Sequence, residues 1–256
     1  MTGVAELKKN IYVVMNHSNK MNVFGRPPWY NRLDDIVVKE MKNPRDLAAD
    51  LTTGHLYIAD GVCRCMWRLE IKGEQDSDDK EKIKVEKWNI EGGIPLSLSI
   101  TKTGQVLVVG GSGDVLTLIG GKGDKPEVIN LNNKGLSDTR HVIQSSSETF
   151  LVAHEDRVSL VDRNWKVLKQ YGGPVAPLGL SEPHHLVEVS GHMFVVDKKR
   201  VLVLSNRLEA ERTLVLRPSV SEDPLFGWRK RLCYSRSSGR LLVSWDRKYV
   251  LVYSVT

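Results

Sequence analysis

The sequence predicts an all-β chain, a six-bladed β-propeller whose single domain occupies residues 1–256. The first observation is a repeat. Apolar cores stand at Ile11–Val14, Leu56–Asp60, Val106–Val109, Phe150–Ala153, Met193–Asp197 and Leu241–Ser244. Their starts lie roughly 43–50 residues apart, the length of one four-stranded blade. Such a unit cannot bury its own faces, so several must stack around an axis. The second observation is turn chemistry: Thr52-Thr53-Gly54, Lys102-Thr103-Gly104, Ser190-Gly191 and Ser237-Ser238-Gly239 precede the cores. Glycine supplies the positive φ that a tight hairpin requires. The third is the absence of a 3.6-residue period, with near-continuous apolar runs that suit strands packed on both faces.

Each repeat is read as four strands, a to d. In repeat four these are His141–Gln144, Phe150–Ala153, Val158–Val161 and Lys166–Tyr171. In repeat five they are His185–Val189, Met193–Val196, Val201–Leu204 and Glu211–Leu216. The first repeat begins with a short strand a over Thr2–Leu7. The last has a at Arg231–Ser235, b at Leu241–Trp245 and c at Val250–Val255, with no residues left for d. Either that blade has three strands, or its edge is completed from outside this sequence or covered by Met1–Val4. An open strand edge is a liability that proteins normally manage.

The bulk numbers are those of an ordinary soluble protein: 41% hydrophobic, 27% charged, net charge +6. The mild positive excess is compatible with nucleic acid or acidic proteins as partners. Cys63, Cys65 and Cys233 are too few and too oddly numbered for a disulfide framework, which points to a reducing compartment, cytoplasmic or nuclear. No signal-peptide h-region and no apolar run of membrane-spanning length is present, so no membrane is expected. The chain is also readable as a domain of a longer parent protein with upstream domains.

Two segments carry a family likeness. One is Asn43-Pro44-Arg45-Asp46-Leu47-Ala48-Ala49-Asp50, then Gly54-His55-Leu56-Tyr57-Ile58-Ala59-Asp60 and Arg64-Cys65-Met66-Trp67-Arg68-Leu69. The other is Asp156–Val161, Val167–Gly173, Pro183–Glu188 and His192–Asp197. A Pro-led first strand, a Gly turn, an apolar second strand ending in Asp and an Arg-led third strand resemble NHL-repeat propellers. The chain looks most like those that end tripartite-motif (TRIM-NHL) proteins and their invertebrate relatives. The resemblance implies a six-bladed propeller that captures protein or reads RNA, with any ligase chemistry upstream. Repeats one, three and six depart from the pattern; Val109-Gly110-Gly111 replaces the Ala-Asp ending in repeat three.

Antiparallel blades sort the loops without coordinates. The b–c turns and d–a crossovers share one face; the a–b and c–d turns share the other. The first face gathers His17, Asn19, Lys20, Arg157, Lys198, Lys199, Arg200, Arg247 and Lys248 from its turns. From its crossovers come Lys42, Arg45, Arg140, His141, His184, His185, Trp228, Arg229, Lys230 and Arg231. Asp60, Asp114, Glu155, Asp156, Asp197 and Asp246 dilute the charge. Basic side chains mixed with His and Trp neutralise phosphates and stack bases, and equally suit an acidic protein. The expected ligand surface is therefore Lys20, Arg45, Arg140, His184, Lys198, Lys199, Arg200, Trp228, Arg229, Lys230, Arg247 and Lys248. The opposite face carries the aromatic-proline stretch Phe24–Tyr30 and the charged loop Gly73–Lys80, which lacks the glycine and distal glutamate of an EF-hand.

Catalytic motifs are scarce. There is no Gly-x-Ser-x-Gly elbow, no Cys-x-x-Cys, and the glycines from Gly110 to Gly123 match neither a dinucleotide fingerprint nor a P-loop. No cofactor is expected. Aligned a strands put Asp46, Ser97, His141, His185 and Arg231 at one level of the channel. His141, His185 and Asp46 are the residue types of a metal-dependent propeller hydrolase, lactonase or lyase, the alternative reading; Arg231 beside them opposes a cation.

Overall fold

The structure is a computed structural model, and it describes residues 2–25, 29–71, 83–91, 93–120, 124–145, 149–174, 176, 178–197, 200–215, 230–245 and 249–254. Blade one comprises β1 (Gly3–Leu7), β2 (Asn10–Val14), β3 (Lys20–Phe24) and the two-residue β4 (Ile36–Val37). Blade two comprises β5 (Pro44–Asp50), β6 (His55–Asp60), β7 (Cys65–Glu70) and β8 (Lys84–Asn89). Blade three comprises β9 (Ser97–Ile100), β10 (Val106–Gly110), β11 (Val115–Ile119) and β12 (Glu127–Asn130). Blade four comprises β13 (Thr139–Gln144), β14 (Phe150–His154), β15 (Arg157–Val161) and β16 (Val167–Gly172). Blade five comprises β17 (Pro183–Val189), β18 (His192–Asp197), β19 (Arg200–Ser205) and β20 (Ala210–Val215). Blade six comprises β21 (Leu232–Ser235), β22 (Arg240–Trp245) and β23 (Tyr249–Ser254). Among the described residues the only helix is a 3₁₀ turn at Asn132–Lys134.

Among the described residues, neighbouring strands in every sheet are consecutive in sequence and antiparallel, giving five four-stranded sheets and one of three strands. The first strands β1, β5, β9, β13, β17 and β21 touch one another in that order, and β21 returns to β1. These six strands therefore line a closed ring, and the chain is a six-bladed β-propeller. The last blade has three strands among the described residues. Thr2–Val4 does not cover its edge, because β1 is the innermost strand of blade one and pairs along β2 from Gly3↔Val14 to Leu7↔Asn10.

The period-two alternation of the sequence decides which seam each side chain fills. In β10, Val106 and Val108 pack with Ala48, Tyr57, Ala59 and Met66 of blade two. Leu107 and Val109, one residue out of phase, pack with Val142, Phe150 and Val152 of blade four. The buried clusters follow this rule around the ring, one at each of the six seams. Burying such a Val, Leu or Phe contributes about 1.5–3 kcal/mol. This explains why the b strands tolerate almost no polar residue on either face.

The a strands start earlier than the apolar pattern indicates, at Thr139 and Pro183 instead of His141 and His185. The reason is a repeated irregularity. Register shifts lie between Pro44 and Asp46, between Thr139 and His141, and between Pro183 and His185. The extra residues are Arg45, Arg140 and His184. A bulge lets the preceding residue stay paired while the next side chain is re-aimed, and the next side chains here are Asp46, His141 and His185.

Candidate functional site

The strand registers place Gly3, Asp46, Ser97, His141, His185 and Arg231 at one level, since each directly precedes the residue that pairs with a mid-strand b position: Val4↔Val13, Leu47↔Ile58, Leu98↔Val108, Val142↔Val152, Leu186↔Val195 and Leu232↔Val243. Five of the six match the level expected from the sequence. The sixth, Gly3, was invisible to charge and motif reasoning. A Cβ on Gly3 would lie 2.7 Å from the Leu47 backbone nitrogen and 2.9 Å from the Asp46 carbonyl carbon. Only glycine lets β1 approach β5 this closely.

Side chains at this level stitch each blade to the next. Thr2 Oγ1 donates to the Pro44 carbonyl at 2.6 Å. The Leu98 N–H donates to Asp46 Oδ2 at 2.9 Å, and Ser97 Oγ donates to the Arg140 carbonyl at 2.7 Å. The Leu186 N–H donates to His141 Nδ1 at 3.2 Å, and the Leu232 N–H donates to His185 Nδ1 at 3.3 Å. Arg231 Nη2 donates to the carbonyls of Leu96 and Arg45 at 3.0 and 3.3 Å. Arg231 Nε lies 2.9 Å from Asp46 Oδ1. Blade one, with glycine at this level, stands between these two residues, so the arginine reaches past it.

The two imidazoles stack with centroids 3.6 Å apart. Each Nδ1 accepts a backbone N–H, which fixes the proton on Nε2 of the neutral ring. His141 Nε2–H then faces the Leu98 carbonyl at 3.2 Å, and His185 Nε2–H faces Asp46 Oδ2 at 3.7 Å. Burial, reinforced for His141 by its partner ring, holds His141 well below the ordinary histidine range and lowers His185 too. Burial alone pushes the Asp46 carboxyl up, but the Arg231 guanidinium and His185 outweigh it and leave it at about 2. The cluster is thus a carboxylate–guanidinium pair beside two neutral, hydrogen-bonded histidines.

Ligand atoms of Asp46, His141 and His185 all lie within 4.8 Å of one another, the spacing a metal ion requires. The donor set does not fit one. The free-electron pairs of both Nδ1 atoms are taken by backbone N–H groups, both Nε2 atoms carry protons, and the Asp46 oxygens serve Leu47, Leu98 and Arg231. A cation there would have to release these bonds and sit beside a buried guanidinium.

The outer part of this face differs from the sequence expectation. Arg140 is not a free cation: it pairs with Asp138 and donates to the Glu155 carbonyl at 2.6 Å. Arg157 lies 3.0 Å from Asp156, and Arg200 3.4 Å from Asp197 with a further bond to the Leu178 carbonyl at 3.0 Å. His184 Nε2 stands 3.9 Å from Glu182. Asp60 and Asp197 do not dilute the surface charge, because both are buried. Each ends a b strand and gathers the adjacent crossover. Asp60 accepts N–H bonds from Lys42, Asn43, Val62 and Cys63 and the Trp67 indole. Asp197 accepts from Ser181 and Glu182. Exposed Lys20, Lys42 and Arg64 and half-buried Arg45 carry no ion pair among the described residues. Lys230 is half-buried. Lys198, Lys199, Trp228, Arg229, Arg247, Lys248 and the loop Gly73–Lys80 lie outside the described residues.

One residue escaped the sequence reading altogether. His154 occupies in blade four the place of Asp60 and Asp197, pairing across to Thr139 as they pair to Pro44 and Pro183. Its Nε2 bonds Ser159 Oγ at 2.7 Å, and burial pushes its pKa down to about 4. Comparison of the b-strand ends, Asp60, His154 and Asp197, would have exposed it.

No protein-family model and no curated protein sequence matches this chain. Solved structures do. A streptogramin B lyase superposes over 100% of this chain and 83% of its own, with a TM-score of 0.66 at 11% identity. A chain of a nidogen/laminin complex covers 84% of this chain and 79% of its own, at 0.64 and 11%. Hydrazine synthase from Kuenenia stuttgartiensis covers 99% and 95%, at 0.63 and 12%. The shared property is the propeller fold. A lyase, a protein complex and a synthase on one architecture leave both binding and catalysis open, since function resides in sites and not in folds.

Proposed function

We propose that this chain is a non-catalytic recognition module that holds an acidic segment of a protein partner on the face made by its b–c turns and d–a crossovers. The observation that carries this reading is the Asp46–Arg231 pair with its stacked histidines. The channel groups best suited to chemistry are spent on holding blades together. The side chains of Lys20, Lys42, Arg45 and Arg64, without an ion pair among the described residues, lie instead on the rim of that face, on blades one and two. The nidogen/laminin neighbour supports a protein partner by analogy of fold, and the likeness to NHL-repeat propellers supports the same class. The free thiols Cys63, Cys65 and Cys233 support a reducing compartment, cytoplasmic or nuclear.

Crosslinking capture from native cells, read for both protein and RNA, tests the proposal. Recovery of an acidic protein, lost on Lys20→Glu with Lys42→Glu, is the expected result; salt-sensitive retention of RNA without protein overturns it. The alternative reading, a metal-dependent lyase or hydrolase, would require a cation to displace the hydrogen bonds that now hold Asp46, His141 and His185, whose ligand atoms lie within 4.8 Å of one another. Stoichiometric metal in the purified protein, lost in His141→Ala, would establish that reading instead.

A further inference from the structure

We propose that the outer edge of blade six is a self-association surface, on which β23 pairs antiparallel with β23 of a second copy of this chain. In the other five blades a fourth strand covers the third; among the described residues β23 has no strand on its outer side. Side chains of β23 already pack toward both neighbouring blades. Leu251 and Tyr253 pack on the cluster shared with Phe194, Val201 and Val203 of blade five. Val250 packs in the cluster shared with Val4, Ile11 and Val13 of blade one. Among the described residues what remains without a partner is the backbone edge, a row of N–H and C=O groups that template another strand.

Charge selects the occupant. The outer strands β8, β12, β16 and β20 all carry charged residues: Lys84, Glu86 and Lys87; Glu127; Lys169; Glu211 and Arg212. Such residues are the usual protection of an edge. The outer strand β4 is two residues long, too short to template pairing. β23 reads Tyr-Val-Leu-Val-Tyr-Ser, six residues without a charge. Around a two-fold axis an antiparallel strand meets its own sequence reversed, so charges placed near the axis face like charges, which is destabilising. An uncharged, β-branched edge carries no such penalty and matches itself. Pairing would join the two three-stranded sheets into one continuous sheet across the axis.

Sedimentation equilibrium of the full chain over roughly 1–100 μM tests this. The expected result is a concentration-dependent monomer–dimer equilibrium. Val252, 40% exposed, can be changed without emptying the core. Val252→Lys and Val252→Asp should each raise the dimer Kd at least about tenfold, a loss of about 1.4 kcal/mol, while Val252→Thr leaves it unchanged. Circular dichroism confirms that each variant is folded, and if one is not, the other decides. A wild-type chain that stays monomeric over the whole range overturns the proposal. So does a dimer that neither introduced charge weakens.

Discussion

Arg231 Nε and Asp46 Oδ1 lie 2.9 Å apart, each side chain 1% exposed, and they belong to blades six and two with the glycine-bearing blade one between them. The pair closes the channel level where Gly3 supplies no side chain. Taking two charges out of water is expensive, and their attraction repays it only when the remaining hydrogen-bonding capacity is also met. Here the carbonyls of Leu96 and Arg45 take up Nη2 on one side and the N–H groups of Leu47 and Leu98 serve the carboxylate on the other, while Arg231 Nε faces Asp46 as an ion pair without a hydrogen bond of its own.

Breaking this pair from one side should cost more than removing it. Asp46→Asn leaves a buried guanidinium uncompensated, and a loss of about 3–5 kcal/mol is expected in urea unfolding. Arg231→Met should cost a similar amount by stranding the carboxylate. The double variant should be clearly more stable than the sum of the two losses allows. Strict additivity would show that the two residues do not act as a pair.

Acid should destabilise the fold in two stages. His154 keeps a folded pKa of about 4 against about 6.5 in the unfolded chain. Its contribution is therefore complete above pH ~6.5 and is lost as pH falls from there toward 4, at up to about 1.4 kcal/mol per pH unit. His141 and His185 shift in the same direction and steepen the loss. Asp46, held at about 2, adds a second decline as pH drops from ~3.9 toward 2. Melting temperature against pH checks this. His154→Gln should flatten the slope between pH 6.5 and 4 by close to one proton; an unchanged slope would remove His154 from the account.

Gly3→Ala should destabilise although it adds a single methyl group. The contacts at 2.7 Å to the Leu47 nitrogen and 2.8 Å to its Cβ leave no room, and backbone on β5 cannot step aside without opening the first seam. Overpacking of this kind costs about 1–3 kcal/mol. Ala5→Gly on the same strand is the comparison: it removes side-chain burial without a clash. Equal stability of Gly3→Ala and wild type would mean that β1 and β5 separate more easily than this geometry indicates.

What the sequence made legible followed period and alternation. Blade number, strand order and the common level of Asp46, Ser97, His141, His185 and Arg231 all come from counting residues along apolar runs. The bonds at that level were not legible, because Nδ1 of His141 accepting from Leu186 depends on the relative height of two separate sheets, which the repeat length does not fix. Surface charge was misjudged for a related reason. Arg140 and Asp60 look alike in a loop census, yet one is tied to Asp138 and the other is buried beneath a crossover. The bulges were present as a recurring triplet, Pro44-Arg45-Asp46, Thr139-Arg140-His141 and Pro183-His184-His185, whose middle residue is basic or histidine. Only the pairing register shows that this middle residue is the one set out of the ladder.

The distinction between tied and free cations makes the binding surface testable residue by residue. Arg140 spends its guanidinium on Asp138 and the Glu155 carbonyl, so Arg140→Gln should leave affinity for an acidic partner within about twofold and lower stability slightly. The side chains of Lys20 and Lys42 are exposed and form no ion pair among the described residues. Lys20→Glu with Lys42→Glu should weaken binding about tenfold at low ionic strength, mainly by slowing association. The deficit should shrink above about 0.5 M salt, where screening confines charge effects to a few ångströms. Titration of the captured partner at two salt concentrations measures it. A stronger effect from Arg140→Gln than from the lysine pair, at unchanged stability, would move the recognition surface from blades one and two to blade four.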